Sequence, residues 1–495
     1  MIHQPRRLSL LWSLALLSII STGFRADVST AAGASLATVE NRLALPQSLY
    51  PNCRFGAGQV RRAIEAYDVL PLNLGWYVNW TSMSAAPGPG GIEYAHMVRV
   101  SDAGLNPSPA MLQARVPEEP GAIWLIGNEP DRRDLQDDVL PEVYARRYHE
   151  AYTLIKSLDP TARVAVGGIV QPTALRFQYL DLMLDAYAAE YGVPLETDAW
   201  HIHSFILREA SCEAYPDSCW GAEIPPGIDV DHGELYTLDD FDNLDVFRAR
   251  IRAFRRWMHD RGYRDTALWV TEYGTLLPYY EPDSLFYDSE GNPYDEARAR
   301  DFLYGTFDFL LSASDDATGY APDNHRLVQR WIWYSLDDLD YGGALFDPYT
   351  SQPMQLAADW SAYTSALAPT LDLVAVDISQ ETVPLSRGET VTVTVKGRVA
   401  NAGNTSLTEP VAVRFIDGEG RQIGDVTVIS DDLAGCGHVI EVGAVWTDLP
   451  PGAHTVTLEV DFDDQVSEAR EDNNAVTSFV LVATSRVFLP LVSRH

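Results

Sequence analysis

Two glutamates end strand-like runs in this chain. Ile126-Gly127-Asn128-Glu129-Pro130 and Trp269-Val270-Thr271-Glu272-Tyr273-Gly274 are apolar up to a carboxylate, after which Pro130 or Gly274 breaks the pattern. By the two-residue period of a strand, Leu125, Gly127 and Glu129 share one face, as do Leu268, Val270 and Glu272. Two carboxylates at the same end of a sheet or barrel supply a proton donor and a nucleophile or base, the equipment for cleaving a glycosidic bond. A single glutamate at a strand end is ordinarily a solvated carboxylate, but two at matching ends point to chemistry.

The elements that must hold them alternate along the chain. Strand-like runs are Cys53–Gly58, Asn73–Trp80, His96–Ser101, Ile123–Glu129, Val164–Val170, Ala199–Phe205, Leu268–Tyr273 and Arg330–Ser335. Several are apolar on both faces, as buried parallel strands are. Between them lie amphipathic helices, one opened by Pro141 and striped by Tyr144, Tyr148, Tyr152, Ile155 and Leu158, and another running from Leu244 to a stop at Gly262. This order predicts an α/β protein, a (β/α)8 TIM barrel over residues 48–366. Glu129 then ends the fourth strand and Glu272 the seventh, across one cleft. An open doubly wound sheet is the alternative, but Gly56-Ala57-Gly58 alone makes no phosphate-binding loop.

After Pro369 the texture changes. Alternating runs such as Val391–Val395 and His454–Val460, separated by Gly and Pro turns, predict an all-β immunoglobulin-like sandwich over 371–484. An apolar tail, 485–495, follows. At the other end Arg6 and Arg7 precede the apolar run Leu8–Ile20 and a small-residue stretch, the order of a secretory signal peptide over 1–32. An uncleaved anchor is the alternative. The expected location is therefore secreted, with no other stretch suited to crossing a membrane.

The formal net charge of −34 argues against nucleic acid or an anionic membrane as partner, since phosphate contacts need a basic patch. A neutral polysaccharide or oligosaccharide suits it. Cys212 and Cys219 flank a short loop and are expected to form a disulfide, whereas Cys53 and Cys436, far apart in sequence, are expected to stay free. Without a Cys-x-x-Cys pair or clustered histidines, no zinc site and no cofactor are expected. The acidic group Asp461, Asp463, Asp464, Glu471 and Asp472 offers hard oxygen ligands for calcium, with solvated turns as the alternative.

Further residues could complete the site. His201 and His203 share a strand face, so either could reach a sugar or Glu272. Arg99, at the end of the third strand, could hold Glu272 ionised. Trp76, Tyr77, Trp80 and Trp220 could line subsites, and Trp331 and Trp333 share a face on the eighth strand. For each the plain alternative is a barrel-core residue or a structural ion pair.

Asn128-Glu129-Pro130 with Thr271-Glu272-Tyr273-Gly274 resembles the two signature strands of clan A glycoside hydrolases. The resemblance implies Glu129 as acid/base, Glu272 as nucleophile, Asn128 holding the sugar 2-hydroxyl and Trp333 as an aromatic floor. Gly75–Trp80, Gly127–Asp131, His201-Ile202-His203 and Trp269–Glu272 resemble the family 128 β-1,3-glucanases, departing at His203-Ser204-Phe205-Ile206. In the sandwich, Val399–Asn404, Phe415–Gly418 and Glu468–Asn474 resemble a CARDB-type module, which implies spacing or cell-surface and matrix attachment. The implied reaction is double displacement on an endo-β-1,3-glucan, with Glu272 charged and Glu129 protonated. Mannan, xylan or β-1,4-glucan as substrate stay open, as does a non-catalytic carbohydrate-binding protein.

Overall fold

The computed structural model describes residues 50–484, apart from 134, 219, 281–284, 387 and 431–432. The expected signal segment, the tail from 485 and Cys219 lie outside the described residues. Among the described residues no helix is long and apolar enough to cross a membrane.

Eight parallel strands form a closed ring: β1 (Asn52–Gly58), β2 (Leu74–Val78), β3 (Glu93–Ser101), β4 (Ile123–Ile126), β5 (Arg163–Ile169), β6 (Ala199–His203), β7 (Ala267–Tyr273) and β8 (Arg330–Trp333). Each pairs with the next, and β8 pairs back with β1. Six helices follow in order: α1 (Pro109–Arg115), α2 (Pro141–Leu158), α3 (Ala174–Tyr191), α4 (Leu244–Asp260), α5 (Glu296–Ser312) and α6 (Gln355–Ser365). The first two crossovers carry only short 3-10 turns. All eight expected strands are present; Glu272 belongs to the seventh, and Glu129 lies on the turn just after the fourth.

Local chemistry accounts for the helix ends. Pro141 takes the first position of α2, where its missing N–H costs nothing. The Asn243 side chain caps α4 by accepting from the amides of Asp245 and Val246, and Asp295 caps α5 by accepting from Arg298 N. The helices lay Tyr144, Tyr148, Phe247, Ile251, Phe254 and Phe302 on outward strand residues such as Trp124, Trp200, Val270 and Trp331. Alternate strand residues fill the barrel axis instead: Trp76, Met97, Ile123, Leu125, Trp269 and Ile332. The barrel is thus a packed core whose usable surface is at its ends.

The sandwich has seven antiparallel strands: β9 (Leu373–Gln380), β10 (Val391–Asn401), β11 (Val411–Asp417), β12 (Gln422–Ile429), β13 (His438–Leu449), β14 (Gly452–Val460) and β15 (Ala475–Val482). One sheet has the order β9-β10-β13, the other β12-β11-β14-β15. Inward residues such as Val395, Val413, Phe415, Val456, Leu458 and Val480 form its core. The acidic turn after β14 works locally: Asp461 accepts from Gln465 N at 3.1 Å and Val466 N at 2.9 Å, and Asp472 pairs with Arg470 at 2.9 Å.

The sandwich docks on the barrel floor, the N-terminal end of the strands, and here one expectation fails. Cys53 and Cys436 are not free; they form a disulfide across a sequence separation of 383, with Cα atoms 6.1 Å apart. Docking brings them together: Cys53 N donates to Asn404 O at 3.1 Å, and Cys436 N to Gly403 O at 2.8 Å. Beside them the buried Arg54 donates to both Asp323 oxygens at 2.8 and 2.7 Å, to Gln329 O at 3.1 Å and to Ala402 O of the sandwich at 2.9 Å. Asn324 Nδ2 donates to Asp372 Oδ2 at 2.7 Å, a further tie across the junction. Cys212 is also disulfide-bonded.

Candidate active site

The turn after β4 presents the first glutamate. The strand ends at Ile126, and Gly127 (φ +86°) swings the chain across the barrel mouth. A Cβ on Gly127 would lie 2.9 Å from the Tyr144 ring, so glycine is required for this close approach. Tyr144 of α2 in turn stitches β4 to β5: its hydroxyl lies 2.7 Å from Ile126 O and accepts Gly167 N–H at 2.8 Å. Glu129 itself has φ +46°, and its amide donates to Gly168 O at 2.8 Å. An irregular turn, not strand alternation, therefore aims Glu129.

Glu272 also departs from simple alternation. Leu268 and Val270 face the helices while Trp269 faces the axis. A register shift against β8 between Val270 and Tyr273 reverses the pattern. Tyr273 packs outward on Phe247 and Trp333, and Glu272 pairs in register with His203 at the mouth. The expected shared face of Leu268, Val270 and Glu272 is corrected accordingly.

The two carboxylates flank one histidine. His203 Nδ1 lies 3.1 Å from Glu129 Oε1, and His203 Nε2 lies 3.3 Å from Glu272 Oε1. Single ligand-capable atoms of Glu129, His203 and Glu272 all fall within 4.8 Å of one another. A metal could in principle use such atoms. Here, however, Arg132 Nη1 donates to Glu129 Oε2 at 3.0 Å and Trp80 Nε1 donates to Glu272 Oε1. Carboxylates already engaged by N–H donors, with a guanidinium alongside, are arranged for sharing a proton rather than holding a cation.

The charges are divided unequally. Burial works to raise Glu129, but Arg132 and His203 outweigh it and hold it down at about 2. Burial pushes Glu272 up to about 7; the Glu129 charge adds to this, and His203 and Trp80 oppose it. Burial disfavours a charged His203, yet Glu272 and Glu129 together push it above its ordinary value. Against the expectation of a charged Glu272 beside a protonated Glu129, the surroundings favour the opposite division, because Arg132 sits on Glu129 and burial dominates at Glu272.

Other expected residues divide. Asn128 stands at the mouth: its amide donates to Asp137 Oδ2 at 2.8 Å and its side chain to Gln136 Oε1 at 3.1 Å, while its buried Oδ1 has no partner. Trp80 reaches the site through Glu272. His201 lies one layer lower, 3.1 Å from Thr271 Oγ1, and burial lowers it to about 3, a neutral core histidine. Arg99 does not meet Glu272; it pairs with Asp137 and donates to Gln136 at 3.0 Å, bracing the Asn128 turn from outside. Trp333 is no sugar floor, since its ring is sealed among the helices and its Nε1 donates to Gly343 O at 2.7 Å. Trp76 faces the axis but is fully covered, edge-on to Trp269 and under the Arg330 guanidinium. Tyr77 is buried on the helix side, and Trp220 is exposed against Phe241.

Two contributors were not anticipated. Tyr334, immediately after β8, is only partly buried and forms an aromatic rim with Trp80 (centroids 5.6 Å apart), Phe205 (6.1 Å) and Tyr341 (5.5 Å). It holds the place expected of Trp333, one residue on. Arg132 is the other, and its position three residues past Glu129 on a turn was its one sequence signal.

With the geometry described, the comparisons with known proteins are as follows. Residues 370–478 match the CARDB family model. The barrel is similar in structure to a GH128 subgroup II endo-β-1,3-glucanase from Sorangium cellulosum, at 17% identity over 63% of this chain and 98% of that one, with a TM-score of 0.39. It is also similar to a GH128 subgroup I endo-β-1,3-glucanase from Amycolatopsis mediterranei in complex with laminaritriose, at 15% identity over 63% and 99%, TM-score 0.40. The sandwich is similar to a CARDB domain from Pyrococcus furiosus in complex with di-metal ions, at 20% identity over 24% and 99%, TM-score 0.21. Among curated proteins no match is found. The chain therefore joins a closed eight-stranded barrel, similar in structure to GH128 barrels, to a sandwich that matches the CARDB model.

Proposed function

We propose that the protein is an exported retaining glycoside hydrolase that cleaves internal bonds of β-1,3-glucan. One observation carries the reaction class: carboxylates from the fourth and seventh strands meet across a buried histidine, with atoms of all three groups within 4.8 Å. Retaining enzymes hold their carboxylates about 5–5.5 Å apart, and inverting ones roughly 6.5–9.5 Å apart to admit a water. The short separation favours double displacement.

In that reaction Glu272 attacks the anomeric carbon as Glu129 protonates the departing oxygen, and Glu129 then activates the water that releases the sugar. Proton and charge must first exchange sides relative to the structure described above, and His203, touching both carboxylates, is placed to assist. Trp80 and Tyr334 offer aromatic faces to the C–H face of a pyranose. The choice of β-1,3-glucan rests on the motif resemblance in Gly75–Trp80, Gly127–Asp131 and His201–His203. Export rests on the N-terminal charge and apolar order, together with cysteines engaged in disulfides, which persist in oxidising compartments. The sandwich then serves attachment to a cell surface or matrix.

The test is incubation with β-1,3-, β-1,4- and mixed-linkage glucans, mannan and xylan, with products sized and their anomeric configuration followed by NMR. Oligosaccharides released from β-1,3-glucan with retained configuration are expected. Release from another polymer alone would move the substrate assignment, and inverted products would remove the double displacement.

A further inference from the structure

The Glu129 carboxylate has neither oxygen free. Oε1 faces His203, whose side chain has no exposed surface; Oε2 accepts from Arg132, whose side chain is 19% exposed. Arg132 is thus the partner on the solvent side. It is also tied elsewhere: Nη2 donates to Gly221 O at 3.0 Å, and its Nε is buried without a hydrogen-bond partner.

Gly221 belongs to the long connection between β6 and α4. Its φ is +116°, and a Cβ there would lie 2.6 Å from Arg208 O, so glycine is needed to place this carbonyl. The next two residues are held by a second arginine. Arg176 Nη2 donates to Ala222 O at 2.7 Å and Glu223 O at 2.9 Å, and Arg176 Nε pairs with Asp131 at 3.1 Å. Two neighbouring guanidiniums therefore join the turn that carries Glu129 to one segment of the loop. Arg176 is fully buried and linked to structure on both sides, whereas Arg132 is linked to the loop on one side and to the reacting carboxylate on the other.

We propose that Arg132 is a substrate-displaced positioning residue: in this structure it covers Glu129 Oε2, and a glycosidic oxygen entering the cleft takes its place, the Gly221 segment shifting with it. The proposal rests on the glycosidase reading and says how that site is armed. While Arg132 is seated, the groups facing Glu129 are Arg132, His203, Asp131, Glu272 and Tyr341. Removing the guanidinium leaves two carboxyl groups, a phenol and one shared imidazole. The proton then leaves the Glu272 carboxyl and arrives on Glu129, with none gained or lost overall. Glu272 becomes the charged nucleophile and Glu129 the acid only when a sugar is present.

The experiment compares wild type with Arg132→Gln and Arg132→Lys by two readouts. The first needs no activity: carbon-13 NMR titration of the Glu129 carboxyl, its signal identified by loss in Glu129→Gln. In Arg132→Gln the Glu129 midpoint is expected to rise by about 1–3 pH units, and in Arg132→Lys to stay near that of wild type. The second is the pH profile of hydrolysis. The alkaline limb of kcat/KM, which reports the free enzyme, should move to higher pH in Arg132→Gln, while the kcat profile of the bound complex should not move, since Arg132 has already left there. Coincident Glu129 midpoints, or a kcat profile that shifts together with kcat/KM, overturn the proposal while hydrolysis by wild type still stands. A wild type inactive on every glycan overturns both readings, which separates the two failures.

Discussion

The barrel has a cluster of buried charge at each end, and the two are built differently. On the floor, Arg54 makes four hydrogen bonds, two of them a fork onto Asp323, which also accepts from Arg326 at 3.0 Å and Gln329 at 3.3 Å. The central charges there, Arg54, Arg326 and Asp323, are tied to one another. At the mouth, two carboxylates compete for one histidine, a single arginine serves only one of them, and Asn128 Oδ1 and Arg132 Nε have no hydrogen-bond partner. Low dielectric makes a saturated network rigid and an unsaturated one responsive. The floor holds the structure and the mouth is left able to change charge.

The comparison can be broken from either end. The largest effect is expected at the mouth: Glu272→Gln and Glu129→Gln should each lower kcat by about 10²–10⁴-fold in hydrolysis assays while the variants remain folded at the assay temperature. A variant that turns over normally would remove its glutamate from the chemistry. On the floor the pattern should invert. Arg54→Ala leaves Asp323 buried without its main partner and should cost about 3–5 kcal/mol in chemical denaturation, while kcat/KM at a temperature where the variant is folded stays near wild type. Cys53→Ser releases the long cross-link and should cost about 2–4 kcal/mol, again without loss of turnover. A large activity loss in either floor variant would mean that the two ends are coupled.

The smallest expected effect is in the pH dependence of stability. Glu272 is raised from 4.5 to about 7 in the folded protein. The folded state therefore binds that proton more tightly than the unfolded chain. The contribution is fully present below the unfolded value and is lost as pH rises toward 7, by about 2–3 kcal/mol. Glu129, lowered to about 2, acts in the opposite sense, its stabilisation being lost as pH falls below the ordinary glutamate range. Denaturation of wild type and Glu272→Gln across this range should show wild type losing stability relative to the variant as pH rises. Parallel curves would contradict the division of charge.

Much of this was legible in the residues. Runs such as Ile123–Ile126 and Val164–Ile169 are apolar on both faces because helices cover one side and the packed axis the other. Strand order alone then carried Glu129 and Glu272 to one mouth. What resisted was local. The resemblance places Trp333 at the cleft, but it lies on the outer face, where Phe302 of α5 and Tyr273 of β7 receive it, and the rim passes to Tyr334. A register shift beside Glu272 leaves no trace in residue types. Arg99 looked well placed for Glu272 because the Asp137 that claims it arrives from a later turn. Cys53 and Cys436 looked unpaired because sequence separation carries no information about how the sandwich docks.

That disulfide has a mechanical consequence. The sandwich is attached to the barrel at two covalent points, the chain leading into β9 and the bond to β1, so it has no single pivot about which to swing. A load applied through the sandwich passes straight into the strand ring at the end opposite the carboxylates. The carboxylates are therefore held facing away from the sandwich, whichever way the sandwich is pulled.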